Sequence, residues 1–172
     1  MKCVLKYPGA KNRIADWICG YIPPHEVYLE PYFGSGAVFF NKTPARIETV
    51  NDLDGNVVNY FRVIRERPQE LMTQLEMTPY SRDEYYGSRE NLDKDTEIER
   101  ARKFAVRCWM GYGASNSYFS GFRSSQQTRS PYTTKEWRNL PERLLAAGER
   151  LKNAQIENLP AIELIRRYDT PD

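Results

Sequence analysis

Apolar residues in this chain fall into short runs separated by polar stretches bearing glycine and proline, and the period of each run predicts its element. EVYLEP, residues 26–31, reads as a short buried strand. It runs into FGSGAVFFNK, residues 33–42, which predicts a glycine turn followed by the start of an apolar helix. RIETV, residues 46–50, predicts a second strand that ends in Asn51 and Asp52. Gly55 then opens a helical pattern through Val57, Val58, Phe61 and Ile64. Pro68 and Pro79 punctuate the chain after this helix. From Glu97 to Tyr112 the apolar residues Ile98, Ala101, Ala105, Cys108, Trp109 and Tyr112 recur at helical spacing, so one face is buried. The stretch 111–134 is rich in Gly, Ser and Tyr; it is too polar for a core strand and has the character of a functional loop. AQIEN, residues 154–158, predicts a last strand, and Pro160 opens a helix through Ile162, Leu164 and Ile165 before the turn-like DTPD. Strands alternating with helices argue for an α/β fold with a parallel sheet.

Composition changes this picture little. The 172 residues, 40% hydrophobic and 28% charged, suit one domain or a domain with a modest insertion. Tyrosine is the unusual component, with 12 copies. No run approaches the roughly eighteen apolar residues of a membrane span, and MKCVLKYPGAK has no apolar signal segment, so the expectation is a soluble, cytoplasmic protein with no membrane partner. Cys3, Cys19 and Cys108 lack the close pairing of a zinc site and His25 is the only histidine, which argues against a structural zinc, any other metal centre or a histidine-based triad.

Charge changes it more. The net charge is only +2, yet residues 102–138 hold seven basic side chains (Arg102, Lys103, Arg107, Arg123, Arg129, Lys135, Arg138) against one acid, Glu136. Phe104, Trp109, Tyr112, Tyr118, Phe119, Phe122, Tyr132 and Trp137 lie in the same stretch. Cations pair with phosphates and rings or small polar groups reach bases, so the mixture suits a nucleic-acid face. A helical subdomain with an aromatic core and solvated charges accounts for the same composition.

The clearest candidate chemistry lies at the first strand exit. In α/β sheets ligands bind at the carboxyl ends of strands, where glycines admit close backbone approach and an acid on the next strand takes ribose hydroxyls. Glu30, Gly34, Ser35, Gly36 and Asp52 fit that layout. The loop lacks both the third glycine of a dinucleotide fingerprint and the Gly-Lys-Ser/Thr of a phosphate loop, so an adenosine without phosphates fits better than a pyrophosphate. The two glycines alone are also satisfied by a tight turn, Lys11 by a surface position, and Asp52 by a helix N-cap ahead of Gly55.

KYPGAK (residues 6–11), LEPYFGSGAVFFN (29–41) and VNDLD (50–54) resemble, in order and spacing, the opening motifs of Dam-like adenine-N6 DNA methyltransferases. The resemblance implies a Rossmann-like fold that binds S-adenosylmethionine, interrupted by a mainly helical target-recognition region. Its expected divisions are residues 1–67 for the first part of the cofactor domain, 68–139 for the insertion and 140–172 for the return to the α/β domain. It places Tyr7 and Lys11 at the methionine end of the cofactor, Gly34 and Gly36 beneath it, Asp52 on its ribose hydroxyls, and Glu30 and Pro31 along the same turn. Duplex DNA is the implied partner. Trp109, Tyr112, Asn116, Tyr118, Arg123 and Arg129 are candidates for DNA contact, with Lys103 and Lys135 on phosphates. Trp109 and Phe104, on the apolar helical face, are also natural core residues.

One motif of the family is missing. Adenine-N6 transfer needs an acceptor for the amino-group hydrogens and a ring to hold the flipped base, supplied in the family by Asp-Pro-Pro-Tyr. Neither Asp-Pro-Pro-Tyr nor Asn-Pro-Pro-Tyr occurs in the sequence, so no catalytic residue is assigned. Pro160 also stands where relatives tend to carry an acid near the cofactor adenine. The expectation is the N-terminal part of such an enzyme, with an incomplete sheet truncated before the catalytic strand and inactive by itself. A complementary C-terminal fragment or another protomer would complete it. The alternative is a non-catalytic module that binds DNA or S-adenosylmethionine; an NAD-type oxidoreductase is disfavoured by the two-glycine loop.

Overall fold

A computed structural model describes residues 2–90, 92–114, 120–125 and 133–169. The chain is mixed α/β. Strands β1 (Val27–Glu30), β2 (Ile47–Asn51) and β3 (Ala154–Glu157) form a parallel three-stranded sheet in the order β1-β2-β3. Val27 pairs with Ile47 at one side of β2, and Glu48 with Ala154 at the other. The three strands match the three predicted runs. Among the described residues β2 is the central strand, which is why Glu48, Thr49, Val50 and Asn51 are all buried.

Helix α1 (Ala15–Cys19) precedes β1; between β2 and β3 lie α2 (Gly55–Glu66), α3 (Pro68–Met77), α4 (Arg82–Gly87), α5 (Glu97–Met110), α6 (Thr133–Arg138) and α7 (Pro141–Leu151), and α8 (Ala161–Tyr168) follows β3. The caps follow local chemistry. Asp54 accepts from the Asn56 N–H to start α2, and the Thr96 hydroxyl accepts from the Glu99 N–H to start α5. The apolar stripe of α2 packs against both α5 and α7, and α3 packs against α7. Tyr60, Phe61, Ile64, Phe104, Leu144 and Leu151 join Val50 and Ala154 of the sheet in one core. Phe104 and Trp109 lie in that core, as the helical spacing of α5 predicts. None of the described helices is long and apolar enough to cross a membrane.

Two local expectations fail. Residues 33–42 form successive turns, not the start of an apolar helix. Gly34 and Gly36 both have positive φ, and beyond them there are only isolated helical-type bonds, such as Phe40 N–H to the Gly36 carbonyl at 2.9 Å. The apolar run is buried because Phe33, Phe39, Phe40 and Phe61 pack edge-on and tilted against one another, not because it lies on a helix face. Lys103, expected on phosphate, points inward. It is 8% exposed, and its ammonium donates to both oxygens of Asp95 at 2.9 and 2.7 Å and to the Glu90 carbonyl. Its charge is met within the fold, so it is withdrawn from the candidate DNA contacts.

Candidate functional site

Chain direction places the exits of all three parallel strands at one end of the sheet, and the glycine loop leaves β1 there. A Cβ at Gly36 would stand 2.6 Å from Phe40 and 2.7 Å from Phe33, and its φ of +68° is left-handed, so only glycine turns the chain over these rings. Gly34 presents its N–H to Asp52 Oδ2 at 2.7 Å, and Asp52 Oδ1 accepts from the Asp54 N–H at 2.9 Å. The carboxylate at the β2 exit is thereby oriented against the glycine loop, with lone pairs to spare. Asp54, not Asp52, caps α2.

A cavity of about 460 Å³ opens at this end and is lined by Tyr7, Lys11, Glu30, Gly34 and Asp52, together with Ser35 and Phe33. The cavity thus joins KYPGAK, the glycine loop and the second-strand acid, segments far apart in sequence. Pro31 and Gly36 lie off its wall. Pro31 contributes its carbonyl to Asn51, and Gly36 shapes the loop from below. The Lys11 ammonium donates to the Gly9 carbonyl and the Tyr7 hydroxyl donates to Asp54 Oδ2 at 3.2 Å. Burial, helped by Asp54 and Asp52, raises the Tyr7 phenol above its ordinary range, so Tyr7 remains a donor. Burial also pushes the Glu30 carboxyl up to about 7, against the opposing hydrogen bond from Tyr28 at 2.7 Å, the Phe39 N–H and the nearby Lys42.

Sequence reasoning missed Asp54, the second acid of VNDLD, whose spacing from Gly55 marks it as the cap. It also missed Asn51 and Asn158, which tie the strand exits together.

A second cavity of about 250 Å³ shares Tyr7 and Ala10 with the first and is otherwise lined by Lys6, Asn12, Cys108, Gly111, Gly113 and Arg123. Arg123 reaches it because the chain folds back after α5. Gly111 and Phe122 form an antiparallel bridge, the Arg123 N–H donates to the Met110 carbonyl at 2.7 Å, and Tyr80 holds the Arg123 carbonyl at 2.7 Å.

Comparison with known proteins assigns the family. The sequence profile of the D12 class N6 adenine-specific DNA methyltransferases matches residues 7–172. The chain belongs to this family. It is similar to the type II methyltransferase M1.LlaDCHI of Lactococcus lactis subsp. cremoris, 29% identical over 109 residues that make up 57% of this chain and 37% of that protein. Similarity to the DNA adenine methylase of Escherichia coli K12 is 25% over 122 residues, 68% of this chain and 44% of the methylase. The chain spans less than half the length of these curated relatives.

In this D12 family member the basic middle divides sharply by orientation. Arg102 forks onto Glu99 at 2.6 and 2.8 Å and reaches Glu84 at 2.7 Å, and buried Arg107 donates to the Ser88 carbonyl. Lys135 and Arg138 on α6 are exposed, Tyr112 is 52% exposed, and Arg123 is half-buried at the second cavity. Asn116, Tyr118 and Arg129 lie outside the described residues.

Proposed function

We propose that this D12 family member binds S-adenosylmethionine in the 460 Å³ cavity and presents it to adenine in duplex DNA. The observation carrying this reading is the convergence of Tyr7, Lys11, Glu30, Gly34 and Asp52 on one cavity at the strand exits. The donor set fits the cofactor. Lys11 can meet a carboxylate, Glu30 an ammonium, Asp52 two hydroxyls, and the loop has no phosphate-binding lysine of its own. Bound there, the cofactor would supply an electrophilic methyl group. The chain's own residues bind and orient: Asp52 fixes the ribose, Gly34 and Gly36 allow close approach, and Tyr7 stands between the two cavities. We assign the surrounding α/β framework to the Rossmann-like class, with residues 68–139 as the inserted recognition region. Tyr112, Arg123 and Lys135 are its DNA-facing candidates.

The 172 residues contain no Asp-Pro-Pro-Tyr, the motif that serves adenine-N6 transfer in the family. This polypeptide by itself therefore binds cofactor without transferring the methyl group. A complementary fragment or second protomer would add its strand beside β1 or β3, the outer strands among the described residues.

Calorimetric titration with S-adenosylmethionine and S-adenosylhomocysteine tests the cofactor reading, with Asp52→Ala expected to weaken both. Absence of binding at millimolar ligand removes it. Methyl transfer to unmethylated duplex by the purified chain would overturn the proposed inactivity.

A further inference from the structure

Parallel pairing between β2 and β3 ends at Asn51 and Glu157, and beyond that register the two backbones no longer bond as a ladder. Side-chain amides take over. Asn51 is 1% exposed; its Nδ2 donates to the Leu159 and Pro31 carbonyls, both at 3.0 Å, and its Oδ1 accepts from the Leu159 N–H at 2.8 Å. Its own carbonyl accepts from the Phe33 N–H at 2.8 Å. In the opposite direction Asn158 donates through Nδ2 to the Asp52 carbonyl at 2.7 Å and to the Leu53 carbonyl at 3.2 Å. Each asparagine grips the backbone beside the other.

We infer that Asn51 and Asn158 form a reciprocal clasp that positions Asp52, and with it the ribose end of the cofactor cavity. Neither side chain lines that cavity, so both act through another residue. Asp52 is held on three sides: its carboxylate by the Gly34 and Asp54 N–H groups, and its carbonyl by Asn158. The same clasp anchors the loop entry at Pro31 and the turn at Leu159, so the spacing between strand exits is set by two amides. An amide suits both places because each needs two donors aimed at carbonyl oxygens, which a carboxylate lacks. Supporting groups of this kind decide how well a site residue holds its orientation.

The inference rests on the cofactor reading, and its test separates the two. Asn51 is too buried to be a clean probe, but Asn158 is exposed and its replacement should leave the fold intact. The 172-residue chain and its Asn158→Ala and Asn158→Asp variants would be titrated with S-adenosylhomocysteine and with its 2′,3′-dideoxy analogue, alongside thermal melts. Asn158→Ala is expected to weaken S-adenosylhomocysteine about 5- to 30-fold while leaving the dideoxy analogue within about twofold. Asn158→Asp should weaken it further, because its charge faces two carbonyl oxygens. Equal losses for both ligands, or no loss for either, would overturn the positioning role while leaving the cofactor reading standing. An unsubstituted chain that binds neither ligand would remove the cofactor reading and the clasp's role together.

Discussion

The cavity at the strand exits and the helical stretch from α4 to α6 both gather charged side chains, and they dispose of them in opposite ways. At the cavity Lys11 donates to a backbone carbonyl, Glu30 is held by a tyrosine hydroxyl, and Asp52 is held by backbone N–H groups. Along α5 the cations are met by acids and carbonyls inside the fold: Arg102 by Glu84 and Glu99, Lys103 by Asp95, Arg107 by the Ser88 carbonyl. A surplus of basic residues in a stretch of sequence therefore does not make a binding face. Orientation and partners decide it, and carboxylates held by neutral donors at a cavity keep capacity for a ligand that paired charges have lost.

The sharpest way to break this contrast is at the most buried pair network. Glu48, at 1% side-chain exposure, accepts from Lys42 at 2.6 Å and from Arg150, whose guanidinium stacks on Phe39. Burial alone would raise the Glu48 carboxyl, but the hydrogen bonds from Arg150, Lys42 and the Ala45 N–H hold it down at about 2. Glu48→Ala leaves two cations facing each other without their acid and should cost about 3–5 kcal/mol in denaturant melts. A folded-state pKa below the unfolded one stabilises above the ordinary carboxylate range, so this contribution should disappear as pH falls towards 2. A Glu48→Ala chain as stable as the parent would show that this network, unlike its geometry, is energetically idle.

Glu30 should behave with the opposite sign. Its carboxyl is raised to about 7, so the folded state holds the proton more tightly than the unfolded state does. Stability from this group is greatest below the ordinary carboxylate range and declines as pH rises towards 7, by up to about 3 kcal/mol. Glu30→Gln should flatten that decline and make the chain more stable than the parent at pH 8. Melts of the two chains from pH 5 to 8 check it, and parallel curves would show that Glu30 is better solvated than its cavity geometry implies.

Lys103 sharpens the comparison at intermediate size. Lys103→Met removes a buried cation and leaves Asp95 without its partner, for a loss of about 2 kcal/mol by melting. DNA affinity of the folded variant should be unchanged at every salt concentration. A shallower salt dependence would return Lys103 to the DNA face.

These contrasts also mark what the sequence could and could not disclose. The strands at residues 27–30, 47–51 and 154–157, and helices α2 and α5, arise from local period and punctuation, which a single chain carries in full. The adjacency of the glycine loop and Asp52 was legible, because their spacing puts them at neighbouring strand exits, where the Gly34 N–H meets Asp52. The inward turn of Lys103 was not, since Asp95 lies eight residues away and meets it only once the chain ahead of α5 folds back. Residues 33–42 misled because an apolar run with aromatic packing looks the same on a helix or in turns until the positive φ of Gly36 is known. Asn51 and Asn158 were silent for a similar reason: polar residues at strand ends read as loop until their partners 105 to 108 residues away are in place.

The smallest expected effect concerns the cations that the fold leaves outward. Lys135 is exposed on α6, and Arg123 borders the second cavity. If these side chains meet phosphate, each alanine replacement should weaken duplex binding and reduce the slope of log K against log salt by about one. The two positions should then diverge with sequence. Lys135→Ala should lower affinity uniformly for all duplexes, as loss of a phosphate contact does. Arg123→Ala should cost more on some duplexes than on others, because the Arg123 backbone, bonded to the Met110 carbonyl and the Tyr80 hydroxyl, fixes where its guanidinium starts and a guanidinium can read a base edge. Measuring both variants on a panel of duplexes at two salt concentrations distinguishes these outcomes. Uniform loss at both positions would make Arg123 a phosphate contact like Lys135, and no loss at either would leave the aromatic, basic middle as a folding unit whose exposed charges are merely solvated.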